Sequence, residues 1–128
     1  MSHYEVIKAH YAASDKKDIK GMLAPLTATT KWIEMAGFPC AGTYIGPDAV
    51  FEHVFKVLGQ EWADYTFTLE RLIDGGDTII GIGTYSGVYK KTGKAMRARV
   101  THVWDMEAGK VTKFEQFTDT LLVDVAMR

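Results

Sequence analysis

Cysteine is almost missing from this chain, and the one thiol, Cys40, has no partner for an internal disulfide. That fits a reducing compartment. Cys40 reads as a small hydrophobe in a loop, because no helix start or basic neighbour stands beside it to activate the thiol. An excess of charge of one sign is missing too. Fifteen Lys and Arg against 16 Asp and Glu give a formal net charge of −1. Acids and bases are mixed along the chain, which leaves neither a nucleic-acid footprint nor a basic membrane patch. No apolar run approaches the roughly 18 residues of a membrane span. The opening Met1-Ser2-His3-Tyr4-Glu5 lacks the basic and then hydrophobic segments of a signal peptide. A cytoplasmic protein without nucleic-acid or membrane partners is expected.

Metal and nucleotide motifs are also missing. The four histidines are scattered, and no His or Cys pair has zinc-site spacing. Gly81-Ile82-Gly83 lies inside a strand with no helix after it, so it is not a phosphate loop. With Gly87 it reads as a place where a sheet bends. No Ser/His/Asp arrangement is evident. The expectation is no metal and no cofactor.

What is present is one domain, residues 1–128, large enough to bury roughly two-thirds of the surface its unfolded chain exposes. Tyr4 to Ser14 predicts a helix with Val6, Ile7, His10 and Tyr11 on one side. Asp18 is placed to cap a second short helix, Ile19 to Leu23, which Pro25 ends. Thr27 to Ala36 is rich in β-branched residues and reads as a strand. Gly37 to Gly46 reads as a loop. Pro47 and Asp48 then start a helix whose stripe is Val50, Phe51, Val54, Phe55 and Leu58, with Gly59 at its stop. Strands follow over Tyr65 to Ile73 and Thr78 to Tyr89. Lys94 to Thr120 is a hairpin signal, two strands flanking Glu107-Ala108-Gly109-Lys110.

Alternation on the first hairpin strand puts Met96, Ala98, Val100, His102, Trp104 and Met106 on one face. An imidazole on that apolar face is costly unless it has a partner or a role. On the second strand Val111, Phe117 and Asp119 share a parity. Helices first and antiparallel strands after indicate an α+β fold, with a curved sheet whose concave side holds the helices and encloses a pocket. Thr84 and Tyr85 have opposite parity. Tyr85 and Tyr89 are read as outward, and outward aromatics suggest a homodimer through the outer sheet face.

This element order carries Gly42-Thr43-Tyr44-Ile45-Gly46 before Asp48-Ala49-Val50, then Thr92-Gly93-Lys94, His102-Val103-Trp104, Gly109-Lys110-Val111 and Phe117-Thr118-Asp119-Thr120. Over almost the whole length it resembles the ketosteroid isomerase and SnoaL-like polyketide cyclase families of the nuclear transport factor 2-like superfamily. The resemblance implies a cone-shaped α+β barrel with a pocket between sheet and helices, and often a homodimer. It implies a cofactor-independent enzyme that moves a proton on a hydrophobic carbonyl or cyclic compound. It leaves as alternatives a non-catalytic small-molecule-binding module and an epoxide hydrolase-like water addition.

The resemblance assigns candidates. Asp119 matches the acid/base aspartate of SnoaL-like cyclases; otherwise it is a strand-end residue bonded to its turn. Glu34 stands where ketosteroid isomerases hold their base; it shares the parity of Trp32 and faces either the pocket or solvent. His102 lies where those isomerases hold an oxyanion-stabilising acid, and no carboxylate shares its face. Tyr11 is near the isomerase tyrosine position. Asp119 or Glu34 would take the proton, while His102 and Tyr11 stabilise the enolate oxygen. Trp32, Trp104, Phe117, Phe55 and Val100 are the expected walls. His10 and His53 read as surface or rim residues. Arg97 and Arg99 fall on the outer face by parity, away from any epoxide hydrolase chemistry.

Overall fold

Ser2 opens the first helix by accepting the backbone N–H of Glu5 at 3.1 Å, a side-chain cap for one of the helix's orphan donors. In the computed structural model, which describes residues 1–128, α1 runs His3–Asp15 and buries Ile7, His10, Tyr11 and Ala13. The spacing of Ile7, His10 and Tyr11 sets them on one stripe. Asp18 accepts from Gly21 N–H at 3.0 Å and starts α2, Ile19–Leu23, the bounds the sequence suggests. β1 spans Leu26–Glu34. The expected loop after it holds a short strand, β2, Gly42–Ile45, paired antiparallel with β1. None of its residues is fully buried, so it has no hydrophobic alternation to read.

The rod that Pro47 starts has three pieces: α3, Pro47–Val50, a π-helical turn, Phe51–Phe55, and α4, Lys56–Glu61. The π turn holds an extra residue and rotates the apolar stripe. Phe51 is therefore exposed, while Val50, Val54 and Leu58 are buried. Gly59 does not stop the rod, which passes through it to Glu61 and turns into β3 at Trp62.

β3 (Trp62–Asp74), β4 (Thr78–Tyr89), β5 (Ala95–Glu107) and β6 (Lys110–Thr118) form an antiparallel meander, and α5, Thr120–Ala126, closes the chain. The strand order is β2-β1-β6-β5-β4-β3, with only β1 and β6 parallel. The fold is α+β, and its curved sheet stays open at β2 and β3. On β5, Met96, Ala98, Val100, His102, Trp104 and Met106 are all buried, so the inward face is the one alternation picks out. No helix is long and apolar enough to cross a membrane.

Two parities depart from expectation. Met106 pairs with Val111, but Asp105 pairs with Lys113, so Thr112 is an extra residue on β6. Such a bulge exchanges the faces beyond it. Val111, Phe114 and Gln116 point inward, while Phe117 is 45% exposed. On β4, Tyr85 stands opposite Ala98 and is buried; it belongs to the inner face. Tyr89 is half-buried with its ring against Trp62. The aromatics behind the dimer expectation are therefore not a free outer patch.

Gly81 has a packing role beyond bending the sheet. A Cβ there would collide with the Tyr11 hydroxyl and approach its Cζ to 2.8 Å. Gly81→Ala should cost about 1–3 kcal/mol, the usual penalty for overpacking, in urea unfolding. Gly59, inside α4 with nothing within 4 Å of an added Cβ, should respond the other way. Gly59→Ala is expected to stabilise by about 0.5–1 kcal/mol.

Candidate functional site

The inward rows of the sheet and the helices leave a cavity of about 340 Å³ between them. That is within the usual size range for small-molecule sites. α1 contributes His10 and Tyr11, β1 Trp32 and Glu34, and the rod Val54, Phe55 and Leu58. β3 adds Trp62, Tyr65 and Phe67, and β4, β5 and β6 add Tyr85, His102 and Phe114. Ser14, Lys17, Ile19 and Asp64 border it where the α1–α2 joint meets the start of β3. Lys17 there donates to the Tyr65 carbonyl at 2.6 Å.

His102 occupies the middle of the polar part. Its Nδ1 is 2.7 Å from Tyr11 Oη and its Nε2 is 2.7 Å from Tyr85 Oη. Trp104 Nε1–H donates to Tyr11 Oη at 2.9 Å, and Gln116 Nε2–H donates to Tyr85 Oη at 2.7 Å. The ring stacks on Phe67 with centroids 4.6 Å apart. Pairing explains the convergence, since His102 lies opposite both Gly81 and Gln116. Gly81 leaves the gap that the Tyr11 phenol fills.

Glu34 is buried one residue beyond the Ile33–Glu115 pair. Trp32 Nε1–H donates to its Oε1 at 3.3 Å, and its Oε2 has no partner. Trp32 also stacks on Phe114 at 3.8 Å. The buried Tyr65 hydroxyl has no partner either. Native structures hold few such orphans, since each costs about 1–3 kcal/mol. Two in one cavity mark where ligand atoms would sit.

Glu34, His102, Tyr11, Trp32 and Phe55 thus share one cavity. Trp104 lies behind it and anchors Tyr11. Asp119 does not enter the cavity: its exposed carboxylate caps α5 by accepting Leu122 N–H at 3.3 Å. The bulge at Thr112 turned this end of β6 outward. Phe117 goes with it, and together with Val100 and Asp119 borders a separate outer hollow beside Arg99. Val100 is buried, but its place is in the core away from the cavity. His10 is no rim residue. It is 4% exposed and bonded to the Met22 carbonyl through Nδ1 at 2.9 Å. His53 is exposed and stacks on Tyr44. Arg99 pairs with Glu70 at 3.0 Å outside the cavity, and Arg97 is exposed. No group of three or more His, Cys, Asp or Glu side chains comes together.

The sequence reading missed Tyr85, Gln116, Tyr65, Phe67, Trp62 and Phe114. For Tyr85 a signal existed: inward even positions on β5 force inward odd positions on β4 once the two are paired.

With this geometry in hand, comparison with known proteins is decisive for the family. Residues 7–114 match the model of the SnoaL-like domain. The chain belongs to the SnoaL-like domain family. An NTF2-like protein of Burkholderia thailandensis is similar at 53% identity, covering 100% of this chain and 98% of that one with a TM-score of 0.98. TerC, crystallised with polyporic acid, is 24% identical over 98% of this chain and 97% of its own, at a TM-score of 0.85. A protein of Catenulispora acidiphila with a ketosteroid isomerase-like fold, in complex with trimethylamine, is 13% identical over 95% and 91% at 0.82. The last two show the shared fold. No curated protein sequence matches the chain.

Burial sets the charge states of this SnoaL-like cavity by penalising ionised forms. Burial lowers His102 to about 3, helped by neighbouring His10. His10 falls to about 4, its bond to Met22 opposing part of the shift. Burial raises Glu34 to about 8 against the stabilising Trp32 bond. Tyr11, Tyr65 and Tyr85 are all pushed up, chiefly by burial. Burial also raises the Cys40 thiol to about 12, with Glu34 and Glu61 adding to it, so this cysteine is inert. Near pH 7 the cavity therefore holds two neutral imidazoles and a largely protonated carboxyl.

These shifts fix a stability profile. Below pH 6.5 the unfolded chain protonates two imidazoles that the fold keeps neutral, so stability falls with acid. Between about 4.5 and 8 the fold holds a proton on Glu34 that the unfolded chain releases, so this term falls as pH rises. Below 6.5 the two imidazoles outweigh the one carboxyl; above it only Glu34 acts. Maximum stability is expected near pH 6.5, with about 1 kcal/mol lost by pH 8. Urea unfolding from pH 4.5 to 8.5 measures the profile, and Glu34→Gln should remove its alkaline limb.

Proposed function

We infer that the protein is a cofactor-independent acid–base catalyst that moves a proton on a small hydrophobic carbonyl compound, with Glu34 as the proton-transferring group. The observation that carries this reading is the Glu34 carboxyl, buried beside a phenol–imidazole network, with one oxygen unpartnered. A pKa of about 8 is near the operating pH, where a general base works best. At pH 7 roughly a tenth is carboxylate.

The proposed reaction uses these positions as follows. The Glu34 carboxylate takes a proton from the carbon next to the carbonyl. The C–H electron pair becomes the C=C bond of an enolate, and the carbonyl π pair moves to oxygen. A phenolic O–H of the network, backed by Gln116 or Trp104 and by His102, donates to that oxygen. Such preorganised donors are most effective where charge develops in a dry site. Glu34 then returns the proton, to the same carbon or to a conjugated one. Apolar walls from Trp32, Phe55, Leu58, Trp62 and Phe67 fit a flat, greasy substrate. The small molecules held by neighbours of this fold, polyporic acid and trimethylamine, support a ligand-taking cavity.

A binding role without turnover draws support from the same walls and from the neutrality of both imidazoles. Hydrogen exchange separates the two readings. The protein should accelerate loss of the α-hydrogens of β-tetralone in heavy water, followed by NMR. Glu34→Gln should lower that rate by about 10²–10⁴-fold, while Asp119→Asn leaves it unchanged. Equal rates for Glu34→Gln and the unaltered protein would leave the binding role.

A further inference from the structure

Counting hydrogens in the Tyr11–His102–Tyr85 network decides more than its distances do. Trp104 Nε1–H can only donate, so Tyr11 Oη accepts there. Met35 N–H donates to Gln116 Oε1 at 3.3 Å. That fixes the amide's orientation, and Nε2 must then donate to Tyr85 Oη. Each phenol oxygen thus already accepts one N–H. Between the phenols stands His102, touching each at 2.7 Å. A neutral imidazole carries one N–H and one lone pair. Two phenolic hydrogens and one imidazole hydrogen serve only two contacts. In either tautomer one phenolic O–H is left over.

The surroundings tell the two phenols apart. The hydroxyl of Tyr11 lies against Gly81, where even a methyl would collide with it. With Trp104 and His102 on its other sides, it is closed to a ligand. The Tyr85 side is where the partnerless atoms are. The Tyr65 ring is 5.4 Å from the Tyr85 ring, and Tyr65 Oη is buried without a partner, as is Glu34 Oε2. Glu34, Tyr65 and Tyr85 all line this one cavity, so the carboxyl shares it with both phenols.

We propose that Tyr85 is the residue whose O–H meets the ligand's oxygen, and that His102 is a positioning residue, held as the Nε2–H tautomer by the Tyr11 hydroxyl. In this arrangement Tyr11 O–H donates to Nδ1, and Nε2–H donates to Tyr85 Oη. Both lone pairs of the Tyr85 oxygen are then occupied, by His102 and Gln116, and its hydrogen points to neither of them; the Tyr65 hydroxyl beside it is the group whose place a ligand oxygen would share. Two N–H donors on a phenol oxygen draw electron density from it and strengthen the remaining O–H as a donor. The ligand this fits is flat and apolar, with an enolate or phenolate oxygen placed between Tyr85 and the Glu34–Tyr65 pair. The identity of the donor deepens the proton-transfer reading and rests on it for its catalytic consequence. The binding assignment stands on geometry alone.

The test uses β-naphthol, a flat aromatic analogue of the enol of β-tetralone. ¹⁵N NMR of the unliganded, unaltered protein should show His102 protonated at Nε2 and bare at Nδ1. Tyr85→Phe should weaken β-naphthol binding in calorimetry by about ten- to a hundredfold, the cost of leaving a buried ligand oxygen without its donor. Tyr11→Phe should weaken it several-fold at most and should mix the two tautomers of His102. A bare Nε2 in the unaltered protein would overturn the proposal, and so would an equal loss from the two phenol substitutions. If β-tetralone exchange is absent but Tyr85→Phe still loses β-naphthol, the catalytic reading falls and the donor assignment holds.

Discussion

The structure depends on an imidazole bridged between two phenols inside an apolar cone. His102 makes a 2.7 Å contact on each side, and each phenol is braced by a second donor, Trp104 or Gln116. Four elements, α1, β4, β5 and β6, meet through these five side chains. A buried polar group left without a partner costs about 1–3 kcal/mol, so none of the five can be removed cheaply. The network therefore holds α1 at a fixed height over the sheet, and that height sets the depth of the cavity. Gly81 belongs to the same constraint: it is the strand position over which the Tyr11 hydroxyl must pass.

Desolvation then determines the chemistry. The site has no metal cluster geometry, and its two imidazoles are held neutral. What it offers a ligand is directed O–H groups and one carboxyl whose proton is held to about pH 8. The same burial that costs stability when Glu34 ionises makes it a stronger base once it does. Stability and reactivity are opposed through one residue, a common feature of sites that tune carboxyls upward.

Most of the fold could be read from the residues. Asp18 before Ile19, Pro47 with Asp48, and the alternation from Met96 to Met106 each state a local preference that the structure follows. β2 escaped notice because an edge strand with no fully buried residue carries no hydrophobic alternation. The candidate site was half legible. Glu34 and His102 lie on strands whose parity runs unbroken from recognisable core residues, Trp32 and Trp104. Asp119 and Phe117 lie beyond the bulge at Thr112, and nothing in Lys110-Val111-Thr112-Lys113 announces an extra residue. Tyr85 was hidden differently. Its same-face neighbours Gly81 and Gly83 have no side chain to mark the inner face, so its direction had to come from pairing with β5.

The bulge also separates two uses of a carboxylate in this chain. Asp119 accepts a backbone N–H at a helix start and is exposed to water. Glu34 accepts one weak indole bond and is shielded from water, so its charge is opposed. Both are acids on the strand ends nearest the resemblance's catalytic positions, and sequence gives them equal standing. Solvent access decides between them. A carboxylate on the outer surface cannot touch a molecule held in the cavity. The buried carboxyl gains from neutralisation what burial costs it as an anion. The one-residue shift that sends the end of β6 outward thus leaves Glu34, on the neighbouring strand β1, as the carboxyl inside the cavity.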